Sequence, residues 1–212
     1  MKHTAFLIGD MIFDQIIVGL CVYCRHYRLM SRFWQLRPPL MIRTLLKGGG
    51  LCIVGSRNVD QAGQTFTRKV ATLCAHNKMP VVSGGARGVD QISMNAALAA
   101  GGVTIGVLAD SLLRKSVERT ARQAIADGRL LLISPYHPNA RFTVGTAMGR
   151  NKLIYALSDY GLIVSAEHKK GGTWAGAVEE LKRENSLPVF VRNENNVPQG
   201  NTKLLELGAI SW

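Results

Sequence analysis

Residues Ser83 to Asp90, SGGARGVD, lie behind the apolar run MPVV and ahead of a helical pattern, the placing of a glycine-rich strand-to-helix turn. Such a turn is equipped to bind phosphate. Gly84 and Gly85 let the backbone bend and approach a ligand, the helix that follows offers unpaired N–H groups, and Arg87 adds a cation. Gly88 closes the turn, and Asp90 is placed to cap the helix, to order Arg87 or to contact a ribose. The residues themselves do not choose among these three roles.

The elements that must hold this turn are legible from residue 51 onward, where short aliphatic runs alternate with helical stretches. That alternation is the pattern of a parallel α/β sheet. Strands are expected at 51–55, 80–83, 103–108, 130–134, 161–165 and 187–191, and helices near 63–76, 88–100, 115–127, 146–158 and 172–184. Phe66, Val70, Leu73 and Cys74 fall at i, i+4, i+7 and i+8, a core-facing stripe. The unusual residues follow the strand ends: Gly55, Ser56 and Arg57 the first, Gly84 to Gly88 the second, Asp110 the third, Pro135 to Arg141 the fourth, and Lys169 to Gly172 the fifth. In an open doubly wound sheet that rim is where ligands bind. The expected architecture is therefore a Rossmann-like, doubly wound, mainly parallel sheet with helices on both faces, over residues 48–212.

Residues 1–47 read as a helical appendage and linker. Ala5 to Cys24 is apolar enough to raise the question of a membrane span, but Asp10, Asp14 and Gln15 interrupt it, and each central Asp would cost about 2.5–3.5 kcal/mol in a bilayer. An amphipathic helix packed on protein is expected, with no signal peptide. Arg25, Arg28, Arg32, Arg37 and Arg43, interleaved with Tyr27, Phe33 and Trp34, suit either a nucleic-acid surface or a solvated linker. Pro38 and Pro39 end the helix before the entry at KGGG, 47–50.

Charge points to an anionic partner. The chain of 212 residues carries 26 Lys+Arg against 14 Asp+Glu, a formal net charge of +12, which favours nucleic acid first and an acidic membrane surface second. Cys52 falls in a strand pattern and Cys74 on a helix, so no disulfide framework is read and a reducing cytoplasm fits. Cys21 and Cys24 form a CxxC beside His26 but lack a second ligand pair, so no metal is expected. Neither a GxGxxG fingerprint, a Walker lysine motif nor a GxSxG elbow is present, and no cofactor and no catalysis are expected.

GSR at 55–57, SGGARGVD at 83–90, GRNKLI at 149–154, GGTWAGA at 171–177 and GNTKLLELGA at 200–209 together resemble the DprA/Smf family, in order and spacing, over about residues 40–212. The stretch 109–116 departs from the family pattern, Phe142 stands upstream of the usual phenylalanine, and Lys152 takes the third position of the RNR-like motif. The resemblance reads neither a clear N-terminal helical module nor a winged-helix domain behind the core.

The resemblance implies a single-stranded DNA-binding recombination mediator without catalytic activity, a RecA-type recombinase as partner, a homodimer, and a role in transformation, a mobile element or defence. Carried over by position, Arg57 and Arg87 would be cations of the DNA pocket and Gly84, Gly85 and Gly88 its floor. Arg150, Asn151 and Lys152 would form a basic helix start. Ser83, Lys169, Lys170, Gly171, Gly172 and Thr173 complete the expected phosphate-binding set. The rival reading is a nucleotide sensor, or a phosphoribohydrolase of the LOG type using Glu179 or Glu180. The order PGGxGT is absent at 171–177, and the two glutamates read more simply as a solvated helix end beside Lys182 and Arg183.

Overall fold

A computed structural model describes Leu46 and residues 48–212. The expected N-terminal helix, the Cys21–Cys24 pair and the arginine-aromatic stretch lie outside the described residues. Seven parallel strands, β1 (Leu51–Gly55), β2 (Val81–Ser83), β3 (Thr104–Val107), β4 (Leu130–Ile133), β5 (Tyr160–Ser165), β6 (Val189–Val191) and β7 (Ile210–Ser211), form one sheet in the order β4-β3-β2-β1-β5-β6-β7. The interleaved helices are α1 (Gln61–His76), α2 (Val89–Ala99), α3 (Leu112–Val117), α4 (Arg119–Ala126), α5 (Val144–Ala156), α6 (Gly171–Leu181) and α7 (Gln199–Glu206).

The central strands are apolar on both faces because both are covered, as a parallel sheet requires. Along β1 the side chains alternate. Leu51 and Ile53 pack with Val70, Ala71 and Cys74 of α1 and Val89 and Ala97 of α2. Cys52 and Val54 join the opposite core, with Leu153, Ile154 and Tyr155 of α5, Ala177 of α6 and Leu204 of α7. Leu108, Leu130 and Leu132 extend the first face under α3 and α4 through Leu112, Ala124 and Ile125.

Chain direction explains this partition. From β1 the chain steps outward to β4 with α1–α4 on one face; it then returns to β5, beside β1, and steps outward again with α5–α7 on the other. Keeping every crossover right-handed forces the helices to change face when the direction of travel reverses.

Several expectations need correcting. Leu73 is 53% exposed; the buried stripe of α1 is Gly63, Thr67, Val70, Ala71 and Cys74, so the apolar spacing misplaced the stripe's edge by one position. The single helix expected at 115–127 is two, divided at Glu118, whose extended backbone (ψ 136°) breaks the ladder and lets Leu112 and Ile125 both reach the core. The sequence pattern also omits α7 and β7. A two-residue strand has no period to read, and α7 is a short helix anchored by Leu204 in the core and by one buried polar side chain: Asn201 donates to the carbonyls of Val164 (3.0 Å) and Arg192 (2.9 Å) and accepts from the Ala166 N–H (2.9 Å).

Candidate nucleic-acid interface

Strand order reverses between β1 and β5, so the loops leaving their C-terminal ends part in opposite directions and open a crevice. The register between the two strands shifts at Val54 and Gly55, and the Ser56 N–H donates to the Ser165 carbonyl (2.9 Å), tying the loops together at the crevice base. The resulting cleft has a volume of about 640 Å³. Gly55, Ser56 and Arg57 line one wall, and Lys169, Lys170, Gly171, Gly172 and Thr173 another; Arg150 and Asn151 contribute from α5. Ten of the residues expected to bind phosphate thus meet in one place. The loop after β3 and residues 135–141 do not line it, so the rim is built from fewer strand ends than the sequence suggested.

Each wall has a local cause. Lys169 (φ +56°) and Gly171 (φ +73°) adopt left-handed backbone, turning the chain sharply into α6. Lys170 occupies the N-cap of α6 without a side-chain capping bond, leaving that end of the helix to other acceptors. Thr143 caps α5 in a reciprocal box with Thr146 (both N–H···O distances 3.0 Å), which sets where Arg150 and Asn151 emerge about two turns later. Asn151 donates to the Gly172 carbonyl at 3.1 Å and so couples α5 to the start of α6.

Arg150 is not a surface cation. It is 5% exposed, with Nη1 3.8 Å from Asp90 Oδ2, while its Nε and Nη1 find no hydrogen-bond partner within the protein. Burial lowers its pKa from the ordinary arginine range and Asp90 opposes that shift. Asp90, also 5% exposed, accepts from the Ala86 N–H at 3.4 Å. Burial pushes its pKa up to about 6 against the pull of Arg150 and the backbone N–H groups of Ala86, Gly84 and Gly55. Of the roles open to Asp90, the structure selects ordering of an arginine, but that arginine is Arg150. Gly88, not Asp90, is the N-cap of α2.

Six expected residues lie off the cleft lining. Ser83 is buried and its hydroxyl donates to the Ile53 carbonyl (2.7 Å), which makes it part of the sheet. Gly84 is the backing of Arg150: a Cβ there would fall on the guanidinium. Gly85 (φ +65°) and Gly88 (φ +87°) shape the turn, and a Cβ on Gly88 would meet the carbonyl oxygens of Ser56 and Arg57. Arg87 is exposed and donates to Asn58 Oδ1 outside the cleft. Lys152 pairs with Glu179 (2.9 Å) on the outer face of α5.

The cleft lining also includes residues outside the expected set, among them Phe142, Met148, Trp174 and the carboxylates Asp90 and Glu167. Phe142 (44%) and Met148 (46%) stand out only by their exposure, and Trp174 is half-buried in the first turn of α6. Arg57 lies over the Phe142 ring, 4.8 Å from its centroid, and Trp174 meets His168 edge-on at 4.9 Å. The rival acids are elsewhere. Glu179 is held by Lys152, and Glu180, 4% exposed, accepts from Arg183 (2.9 Å) and the Leu187 N–H (3.3 Å). Glu180 is therefore a buried structural acid and not the solvated helix end expected.

The family model of DNA recombination-mediator protein A matches residues 42–212. Protein Smf of Escherichia coli is 30% identical over 164 residues, covering 76% of this chain and 43% of that protein. DNA processing protein DprA of Streptococcus pneumoniae is 29% identical over 148 residues, covering 68% of this chain and 52% of that protein. The chain thus spans about half the length of these relatives. Among solved structures, DprA from Streptococcus pneumoniae superposes with a TM-score of 0.66 at 24% identity, over 80% of this chain and 60% of that one. DprA from Helicobacter pylori, in a study of its single-stranded DNA binding mode, gives 0.65 at 24% identity, over 98% and 89%. A molybdenum cofactor binding protein from Rippkaea orientalis gives 0.54 at 16%, over 77% and 88%, and shares the wider fold.

Proposed function

The chain belongs to the DNA recombination-mediator protein A family, and from that premise we propose that its β1–β5 cleft holds single-stranded DNA. One observation carries the reading: Arg57, Lys169 and Lys170 are exposed around one recess, no carboxylate among the described residues pairs with them, and the uncapped start of α6 opens into the same space. A single strand is held by cations and N–H groups along its phosphates and by stacking of its bases. The relative from Helicobacter pylori, studied for its binding of single strands, shares this fold. Protection of the strand, its transfer to a RecA-type recombinase, a cytoplasmic location and homodimerisation extend the reading from the family to this chain. The hydrolase alternative loses support because neither Glu179 nor Glu180 lines the cleft.

Titration of a labelled single strand over a salt series, with duplex DNA and free nucleotides as competitors, tests the assignment. Each phosphate contact contributes about 0.7 to the slope of log K against log salt. Arg57→Ala combined with Lys169→Ala is expected to shrink that slope by about 1.4. An unchanged slope rejects the cleft as the strand's site. Competition by mononucleotides at the same concentration as the oligonucleotide would favour a nucleotide sensor instead.

A further inference from the structure

Arg192 is the largest side chain sealed inside the described residues, 0% exposed, and it does not line the cleft. It follows β6, where its N–H donates to the Ile163 carbonyl (2.9 Å) and its carbonyl accepts from Asn201 (2.9 Å), so its backbone is fixed on both sides. From there the side chain spans the width of β5 to the segment that joins β1 to α1. Nη1 lies 3.4 Å from Asp60 Oδ1 and Nε 3.8 Å from Glu194 Oε2, both carboxylates being half-exposed, while Nε and Nη2 have no hydrogen-bond partner within the protein. A Cβ on Gly63, in the first turn of α1, would run into Nη1, so a glycine keeps that place open for the guanidinium. We propose that Arg192 is a positioning residue: through Asp60 it holds the loop that carries Arg57 in place on the cleft wall and so sets strand affinity without touching the strand. This rests on the reading of the cleft as a single-strand site.

Stability alone does not account for this arginine. A sealed guanidinium gives up its hydration, and two half-exposed carboxylates at 3.4 and 3.8 Å return little of it, so a packed apolar side chain would serve the fold as well or better. What an apolar side chain lacks is direction: a planar donor fixes its acceptor at one spot. That acceptor is well placed to pass the constraint on. Asp60 is the N-cap of α1, and the same Oδ1 accepts the Gly63 N–H at 2.8 Å. Val59, beside it, is buried in the core, while the other end of the loop is tied by the Ser56 N–H to the Ser165 carbonyl (2.9 Å). Only Arg57 and Asn58, between these two anchors, are exposed along with Asp60 itself. Freeing Asp60 from Arg192 therefore loosens the anchor three residues from the cleft cation.

The experiment is a mutant cycle on the full chain, read by the anisotropy of fluorescein-labelled oligo-dT and, in parallel, by urea denaturation. Arg192→Met is expected to weaken oligo-dT binding by about 3- to 10-fold, to leave the urea midpoint undiminished, and to have no further effect on binding in an Arg57→Ala background. Asp60→Ser keeps an oxygen to cap α1 but removes the carboxylate. Net charge alone predicts that this variant binds an anion more tightly, whereas positioning predicts weaker binding, and weaker binding is expected. Should Arg192→Met fail to fold, the sign of the Asp60→Ser effect decides by itself. Equal losses from Arg192→Met with and without Arg57 would mean that Arg192 supports the fold at large; that result, an unchanged affinity, or tighter binding by Asp60→Ser overturns the proposal. If the unsubstituted protein does not bind oligo-dT at low salt, or Arg57→Ala leaves its affinity unchanged, the reading of the cleft fails and the positioning role with it. Loss in Arg57→Ala with none in Arg192→Met overturns the positioning role while leaving the reading intact.

Discussion

Asp90 and Arg150 together are expected to make the cleft responsive to pH. Burial holds the Asp90 carboxyl up to about 6, while an unfolded chain would titrate near the ordinary value of 3.8. A raised carboxyl pKa means that the folded state holds the proton more tightly, so this group's contribution to stability is present at low pH and is lost as pH rises from about 3.8 through about 6. For an anionic ligand the sign is the reverse of a penalty at low pH. Protonating Asp90 leaves the Arg150 charge unopposed at the cleft floor, and its unpartnered Nε and Nη1 become stronger donors. Oligonucleotide affinity is expected to rise between pH 7 and 5.5, and Asp90→Asn is expected to flatten that rise. Isothermal titration at matched ionic strength provides the check, and an identical pH profile in Asp90→Asn contradicts the coupling. At this scale the residue types were readable and their roles were not. Arg57, Arg87 and Arg150 look alike in sequence, yet one lies on an aromatic ring, one donates to Asn58 and one is buried against a carboxylate.

The turn from β2 into α2 shows how an element converts glycines into a site. Gly88 combines φ +87° with ψ −132°, a conformation open to little but glycine, and any Cβ would press on the backbone of Ser56 and Arg57 in the neighbouring loop. Gly101, at φ +79°, faces open space. Gly101→Ala is therefore expected to lose about 1 kcal/mol from backbone strain alone. Gly88→Ala is expected to lose about 3 kcal/mol or more and also to weaken strand binding, because Arg57 must move with its carbonyl. Urea denaturation of both variants provides the check, and equal losses would show that the close approach of the two turns is not rigid. Element boundaries were legible wherever several turns of apolar spacing repeated, as in β1, β5 and α1. They were illegible at Glu118, where one extended residue divides a helix, and at α7 and β7, which are too short to show a repeating apolar pattern.

Across the whole molecule, positive charge is distributed over both the described core and the segment before it. Residues 1–47 contain seven Lys+Arg and two Asp+Glu, and residues 48–212 contain nineteen and twelve. If the cleft is the strand's seat, the chain reduced to 48–212 is expected to keep the salt slope of the full chain to within about one phosphate contact, about 0.7. A larger drop would assign the basic arginines of the first segment to the interface. The amino-acid sequence by itself determined the parallel α/β architecture, since alternating buried strands and amphipathic helices leave few other ways to cover both faces of a sheet. It also determined the family, through motifs spaced along the core. Only the tertiary structure decided which glycine-rich loop forms the cleft. Strand order is a property of long-range pairing, and the return of β5 to the side of β1 brings the 169–173 loop to face Arg57 while leaving much of the 83–88 turn as its support.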